Sequence, residues 1–294
     1  ARFAKNIEPL SVSVEGRADS PVLFFIHGWP DDERLWDKQV EHFRAQYKCM
    51  RITLPNFDRR SGKKAKPGAE LWGYNFDELV DLIAATIRAH AGSEPVTLVI
   101  HDWGSVIGFT LQNLHPELVK RIVAVDVGSP TFLRPSVKQI PLMIFVGLYY
   151  MYWLALALLI ARLVPVVGQR IGDFICCFNV RRFKGRLTYN PSGLDFSADC
   201  CYPYLYYHLN FWLTLLGIKK VIGKAGAKTD PSPSCPCMFV YGHKGLGKMF
   251  KKWSDKLAQR PECEVVELRG GHWVMLQSTD DFNTRVSAWL SKSK

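Results

Sequence analysis

Short apolar runs alternating with helix-spaced segments constrain this chain more than any other feature of its sequence. Between Val22 and Ala91, "VLFFIHG" and "CMRITLP" read as buried strands, while "RLWDKQVEHFRAQ" and "YNFDELVDLIAATIRAHA" carry apolar residues at the three- and four-residue spacing of a helix. "VTLVIH", "SVIGFTLQNLHPELV" and "RIVAVDVGS" extend the series as strand, helix and strand. After Pro130 the alternation stops. It resumes with "CMFVYG", a helix from Met249 to Gln259, "CEVVELRGG" and the closing helix "DDFNTRVSAWL". Strand and helix alternating in this way require right-handed crossovers, hence an α/β chain whose mostly parallel sheet is covered by helices on both faces.

The 294 residues suit one core with one excursion from it better than two equal domains. The interruption predicts a core of residues 1–130 and 230–294 and a helical lid inserted as residues 131–229, with re-entry through the turn-rich "TDPSPSCP". Within the lid, Pro141 to Ile160 is uncharged and long enough to span a membrane. Spanning would put part of the sheet across the bilayer, so the expectation is a pair of lid helices buried against the core. An exposed part of this surface resting on a membrane is the milder alternative.

The chemistry concentrates in "LVIHDWGSVIGF", where Asp102 stands at the point where a buried strand must turn. Burying a lone carboxylate costs several kcal/mol or shifts its pKa. Asp102 is therefore either the cap of the next helix or a nucleophile on a sharp strand-to-helix turn, with the small Gly104 and Ser105 letting helix and strand approach. Ile100, two residues earlier, is larger than the Gly often found there. "RGGHWVMLQ" places His272 in a Gly-flanked loop after the last strand, in the chain order of a base that follows a turn nucleophile. The loop "VYGHKGLGK" offers no carboxylate, and Gly245 sits about where one is expected. Asp126, ending the strand of "RIVAVDVGS", is the alternative acid to orient His272. "FFIHGWP", containing His27, Gly28, Trp29 and Pro30, is a loop that directs a backbone N–H at the same sheet edge. The N–H groups of Trp29 and Trp103 are the candidate oxyanion donors, and Trp29–Pro30 is a candidate cis peptide.

The formal charge of +11 comes from scattered Lys and Arg, with short clusters at Lys63, Lys64 and Lys66 and at Arg181, Arg182, Lys184 and Arg186. No nucleic-acid-reading motif accompanies them, so solvated surface or attraction to an acidic membrane is expected, and nucleic-acid binding is not. The eight cysteines show no zinc spacing and read as buried reduced thiols of a reducing compartment. The expectation is a cytoplasmic protein, with membrane association as the alternative, and no metal or organic cofactor. The opening "ARFAKNIEPL" has no apolar h-region and does not read as a signal peptide, and Pro191 makes Asn190 a poor glycosylation acceptor.

"HGWP", "HDWG", "DVGS" and "GHWVMLQ", in this order and with a lid inserted after "DVGS", resemble the α/β-hydrolase superfamily, and within it the epoxide hydrolase and haloalkane dehalogenase branch. The resemblance runs from Val22 to Leu290, specific in the core and weak in the lid. The nucleophile of that branch is Asp, which implies that Asp102 attacks and that Ser105, outside any Gly-x-Ser-x-Gly frame, is only the small residue of the turn. Asp102 would form an alkyl ester. His272, oriented by Asp126, would activate the water that hydrolyses it, with Trp29 and Trp103 holding the oxyanion.

Ile100 and the acid on the strand after the turn are similar to haloalkane dehalogenases, yet Trp29 stands where many of those enzymes have an Asn for the halide. "HGWP" and "GHWVM" resemble epoxide hydrolases, whose two lid tyrosines are matched here by Tyr150, followed by Met151 rather than the frequent Gln, and by Tyr204, with Tyr206 close behind. The resemblance implies an epoxide hydrolase that converts hydrophobic epoxides to vicinal diols, using substrate and water alone. Haloalkane dehalogenase is the alternative enzyme. A non-catalytic protein that binds an apolar ligand is the alternative from a different class. The oligomeric state is not legible in the sequence.

Overall fold

Apolar runs without polar alternation make strands covered on both faces, and this chain builds the middle of its sheet from them. In the computed structural model, which describes residues 8–57, 71–128, 141, 144, 150–181, 196–216 and 232–292, the strands are β1 (Val12–Gly16), β2 (Val22–Ile26), β3 (Lys48–Ile52), β4 (Val96–His101), β5 (Val119–Val125), β6 (Cys237–Gly242) and β7 (Glu264–Leu268). Their order is β1-β3-β2-β4-β5-β6-β7; β1 runs antiparallel to β3 and all other neighbours are parallel. The six expected strands are all present. β1 escapes a pattern reading because five residues with a half-exposed Val14 are too short to display alternation.

The helices are α1 (Asp37–Phe43), α2 (Phe76–His90), α3 (Trp103–Leu114), α4 (Tyr152–Leu163), α5 (Gly168–Arg181), α6 (Tyr202–Leu215), α7 (Lys251–Leu257), α8 (Val274–Gln277) and α9 (Thr279–Ser291). The helix expected from Met249 to Gln259 is shorter: a single 3-10 turn over Gly247–Phe250 leads into α7. The residues form two compact units, one of Ala1–Thr53, Val80–Pro130 and Asp230–Lys294, the other of Leu54–Leu79 and Thr131–Thr229.

In the first unit β4 is buried at all six positions, and Phe24, Phe25, Trp36, Phe239 and Phe282 are fully enclosed around the sheet. Each such side chain contributes roughly 1.5–3 kcal/mol relative to exposure. Helix α3 lies close against β2 and β4 because it begins on glycine. A Cβ on Gly104 would stand 2.5 Å from the Ile26 carbonyl oxygen, and one on Gly108 would stand 2.8 Å from Ile100 Cγ2. Gly108 thus makes the room that the large Ile100 needs. Arg121 on β5 donates to the Leu290 carbonyl at 3.0 Å and lies over the Trp289 ring, fixing α9 to the sheet.

The second unit combines residues 54–79 with the helical subdomain inserted between β5 and β6, which resembles a lid. Phe57 and Tyr74 pack edge-on against the buried Tyr202 of α6. Asp173 of α5 accepts from the Ala198 N–H at 2.7 Å and from Ser197 Oγ, and Arg162 of α4 pairs with Asp199, so one polar cluster joins α4, α5 and the turn that leads into α6. Asn75 and Glu78 exchange side-chain and backbone bonds as a capping box at the start of α2. The uncharged stretch from Pro141 yields the twelve-residue α4, and no helix among the described residues is long and apolar enough to cross a membrane. Lys63, Lys64, Lys66, Arg182, Lys184, Arg186 and Asn190 lie outside the described residues.

Candidate active site

The turn after β4 settles where the Asp102 side chain goes. Its backbone sits at φ 53°, ψ −123°, in the positive-φ region that carries strain for a residue with a Cβ, and its carboxylate makes no cap bond to α3. Oδ1 accepts instead from the Trp29 N–H at 2.8 Å, and Oδ2 lies 3.4 Å from His272 Nε2. The helix-cap alternative is therefore not what the structure displays. The N–H of Trp103 also faces the Asp102 carboxylate. The β2 loop reaches this point because residue 28 has no side chain: a Cβ on Gly28 would overlap Asp102 Oδ1 and stand 2.6 Å from the Trp103 nitrogen. The Trp29–Pro30 peptide is cis, as expected. His27 is buried, and its Nδ1 lies 2.8 Å from the Gly28 carbonyl.

Asp126 leaves β5 at φ 58° with no exposure, and its carboxylate takes four contacts. Oδ2 is 2.7 Å from His272 Nδ1 and accepts from the Leu246 N–H at 2.8 Å; Oδ1 accepts from Gly242 and Gly247. Gly245 is the position where a carboxylate was sought and not found in the sequence. A Cβ there would overlap Asp126 Oδ1, so the bare glycine makes room for the acid that arrives from the neighbouring strand.

His272 thus bridges two carboxylates. Burial acts to strip its proton, but the bonds and charges of Asp102 and Asp126 outweigh burial and push its pKa up to about 10. Burial likewise acts to raise the Asp102 pKa; the hydrogen bond and charge of His272 prevail and hold it below the ordinary carboxylate value. The side chains of Asp102 and His272 each keep 14% exposure, enough for a small molecule to touch them, whereas Asp126 has none. Ser105 is fully buried inside the first turn of α3 and offers no nucleophile.

Two supporting residues carry no sequence expectation. The His101 ring lies against that of His272, tilted by 41° with centroids 4.4 Å apart, and its Nε2 is 3.0 Å from the His272 carbonyl. Burial, aided by the His272 charge, pushes its pKa down to about 3, so it stays a neutral ring. Asp31, fully buried, accepts from Trp273 Nε1 at 2.9 Å and so anchors the residue next to His272. The available signal is a His immediately before Asp102 and an Asp just after "HGWP", but neither spacing names a partner.

In the second unit the rings of Tyr150 and Tyr204 meet edge-on at 6.0 Å, Tyr204 buried and Tyr150 half-buried. Tyr206 is half-buried and Tyr202 is enclosed among aromatic rings, while Tyr149 and Tyr189 lie outside the described residues. All eight cysteines are described and none is in a disulfide. Spacing along the chain concealed one cluster: the Sγ atoms of Cys176, Cys200 and Cys201, all buried, lie within 4.8 Å of one another because α5 and the turn before α6 meet there. A soft metal ion could be held by these three thiols.

Comparison with known proteins agrees with this architecture. Residues 21–159 match the family described as alpha/beta hydrolase fold. Epoxide hydrolase 2 of Caenorhabditis elegans is 34% identical over 129 residues, 43% of this chain and 34% of that protein. Epoxide hydrolase 1 of the same organism is 21% identical over 94% of this chain and 66% of its own length. This chain therefore spans between about a third and two thirds of these curated relatives. A crystal structure of Bacillus megaterium epoxide hydrolase in complex with an inhibitor superposes with a TM-score of 0.67 at 20% identity, covering 96% of each chain, which is a likeness of fold. The chain has the α/β-hydrolase fold, and its sequence is similar to those of epoxide hydrolases.

Proposed function

We propose that this protein converts hydrophobic epoxides to vicinal diols through a covalent ester on Asp102. The observation that carries the reading is the line Asp102, His272, Asp126, closed at 3.4 and 2.7 Å with the first carboxylate facing the Trp29 N–H. In the first step Asp102 attacks a ring carbon, the carbon–oxygen bond breaks, and a phenol of Tyr150 or Tyr204 protonates the alkoxide. The resting imidazolium keeps Asp102 ionised and ready to attack.

Esterification removes the Asp102 charge, which lowers the proton affinity of His272 and turns it into a base. The proton it sheds balances the one given up by the phenol. His272, held by Asp126, then takes a proton from water, the hydroxide adds to the ester carbonyl, and the N–H groups of Trp29 and Trp103 hold the oxyanion until diol and carboxylate separate. The sum is epoxide plus water to diol.

The test is the intact mass of His272→Ala after exposure to aryl and alkyl epoxides and, separately, to matched haloalkanes, with peptide mapping of the adduct. A stable adduct on Asp102 equal in mass to the whole epoxide is the expected result. An adduct equal to the haloalkane less HX, and none from epoxides, would replace the reading with dehalogenation. An inert variant whose wild-type parent is also inert toward both panels would leave an apolar-ligand binding protein.

A further inference from the structure

The lid helices are apolar on the side that faces water as well as on the side they bury. In α4, Trp153, Leu156 and Leu163 are exposed; in α5, Ile171, Phe174 and Phe178; in α6, Leu209 and Trp212. The three- and four-residue spacing makes each set a stripe along one helix face, opposite the stripe that packs inward. Across residues 150–181, 196–213 and 216, every exposed residue is apolar apart from Arg170 and Arg181, and none is acidic. The turn from Leu163 to Val167 carries five apolar side chains in succession, all exposed, with Val166 98% exposed. Val166 also sits at φ 64°, a conformation that is costly for a β-branched residue. Folding gains nothing from a strained valine standing in water, whereas a surface that removes it from water does.

We infer that this face docks on a membrane containing anionic phospholipid, with the Leu163–Val167 turn entering the acyl boundary and Arg170 and Arg181 meeting the headgroups. A second copy of the chain is the less suitable occupant. A two-fold contact through this patch would bring the arginines together with no exposed acid among the described residues of these helices to receive them. The bilayer supplies those anions, the net charge of +11 favours approach, and Trp153 and Trp212 are side chains that settle at a lipid–water boundary. The inference is independent of the proposed reaction, since it uses no residue of the candidate site.

The experiment is co-sedimentation of the full chain with vesicles of phosphatidylcholine alone and of phosphatidylcholine mixed with phosphatidylserine, repeated at rising salt. The expected result is binding to the mixed vesicles that weakens with salt. Arg170→Gln and Arg181→Gln should each lower the partition coefficient about fivefold, and Val166→Asp combined with Phe174→Asp at least about tenfold. These residues are already in water, so thermal unfolding of the variants should match the parent, and recording it separates lost binding from lost fold. Protein left in the supernatant with both vesicle types would overturn the inference. So would a wild-type dimer in analytical ultracentrifugation that Val166→Asp dissociates.

Discussion

Replacing Asp102 by Asn should make His272 a much weaker holder of its proton. The amide is close in shape to the carboxylate but neutral, as is the ester that Asp102 is proposed to form, so the variant imitates the charge state of the intermediate. In the wild type His272 Nε2 is 3.4 Å from Asp102 Oδ2. At an effective dielectric constant of about 20, unit charges at that separation attract by about 5 kcal/mol. One pKa unit is worth about 1.4 kcal/mol, so losing the anion lowers the pKa by between ~2 and ~4 once side-chain adjustment is allowed for. From a starting value of about 10, His272 should then titrate between about pH 6 and pH 8, where a general base works best. The assay is a pH titration of the imidazole nitrogen resonances in wild type and Asp102→Asn. Titration of His272 above pH ~9 in the variant would show that Asp126 alone holds the proton, and the charge-switch argument would fail.

Four further outcomes follow from the same structure. Gly245→Ala drives a methyl group into the Asp126 carboxylate and should cost roughly 1–3 kcal/mol in urea unfolding, with turnover reduced more than tenfold; an unchanged midpoint would mean that the loop yields freely. His272, raised from 6.5 to about 10, contributes stability that is complete below pH 6.5 and is lost as pH rises through 10, so His272→Ala should flatten the alkaline limb of a stability profile. His101, lowered from 6.5 to about 3, has the opposite sign and opposes folding increasingly as pH falls through that window, which a histidine titration beside acid unfolding would detect. Removing both phenols, Tyr150→Phe with Tyr204→Phe, should slow epoxide opening on the order of a hundredfold or more, measured as single-turnover ester formation; equal rates would assign the proton donor elsewhere.

The sheet was legible because its strands are unbroken apolar runs, and Asp102 and His272 because charged or titratable residues ending such runs at one sheet edge have few other uses. The cis Trp29–Pro30 peptide was legible as a candidate from proline alone. Other features required three dimensions. The role of Gly245 is a vacancy shaped for Asp126, and a glycine in a sequence does not say which atom occupies the space beside it. His101 and Asp31 act by contacts with residues 171 and 242 positions away, separations that no local spacing encodes. The thiol cluster of Cys176, Cys200 and Cys201 stayed hidden for the same reason, since its ligands belong to two elements. Apolar stripes in the lid read simply as core, because periodicity reports a face without reporting what covers it.

Asp102 and Asp126 leave adjacent strands one residue beyond a matched pair, His101 of β4 beside Val125 of β5. Their separation is therefore governed by the spacing of hydrogen-bonded strands, about 4.8 Å, and by the stiffness of a sheet interior. Had the carboxylate facing His272 come from the loop after β6, the three side chains would each ride on a segment of its own. Here the two carboxylates are tied to neighbouring strands, while His272 stands on a loop outside the sheet. Amide hydrogens of residues 269–273 should therefore exchange faster than those at the ends of β4 and β5.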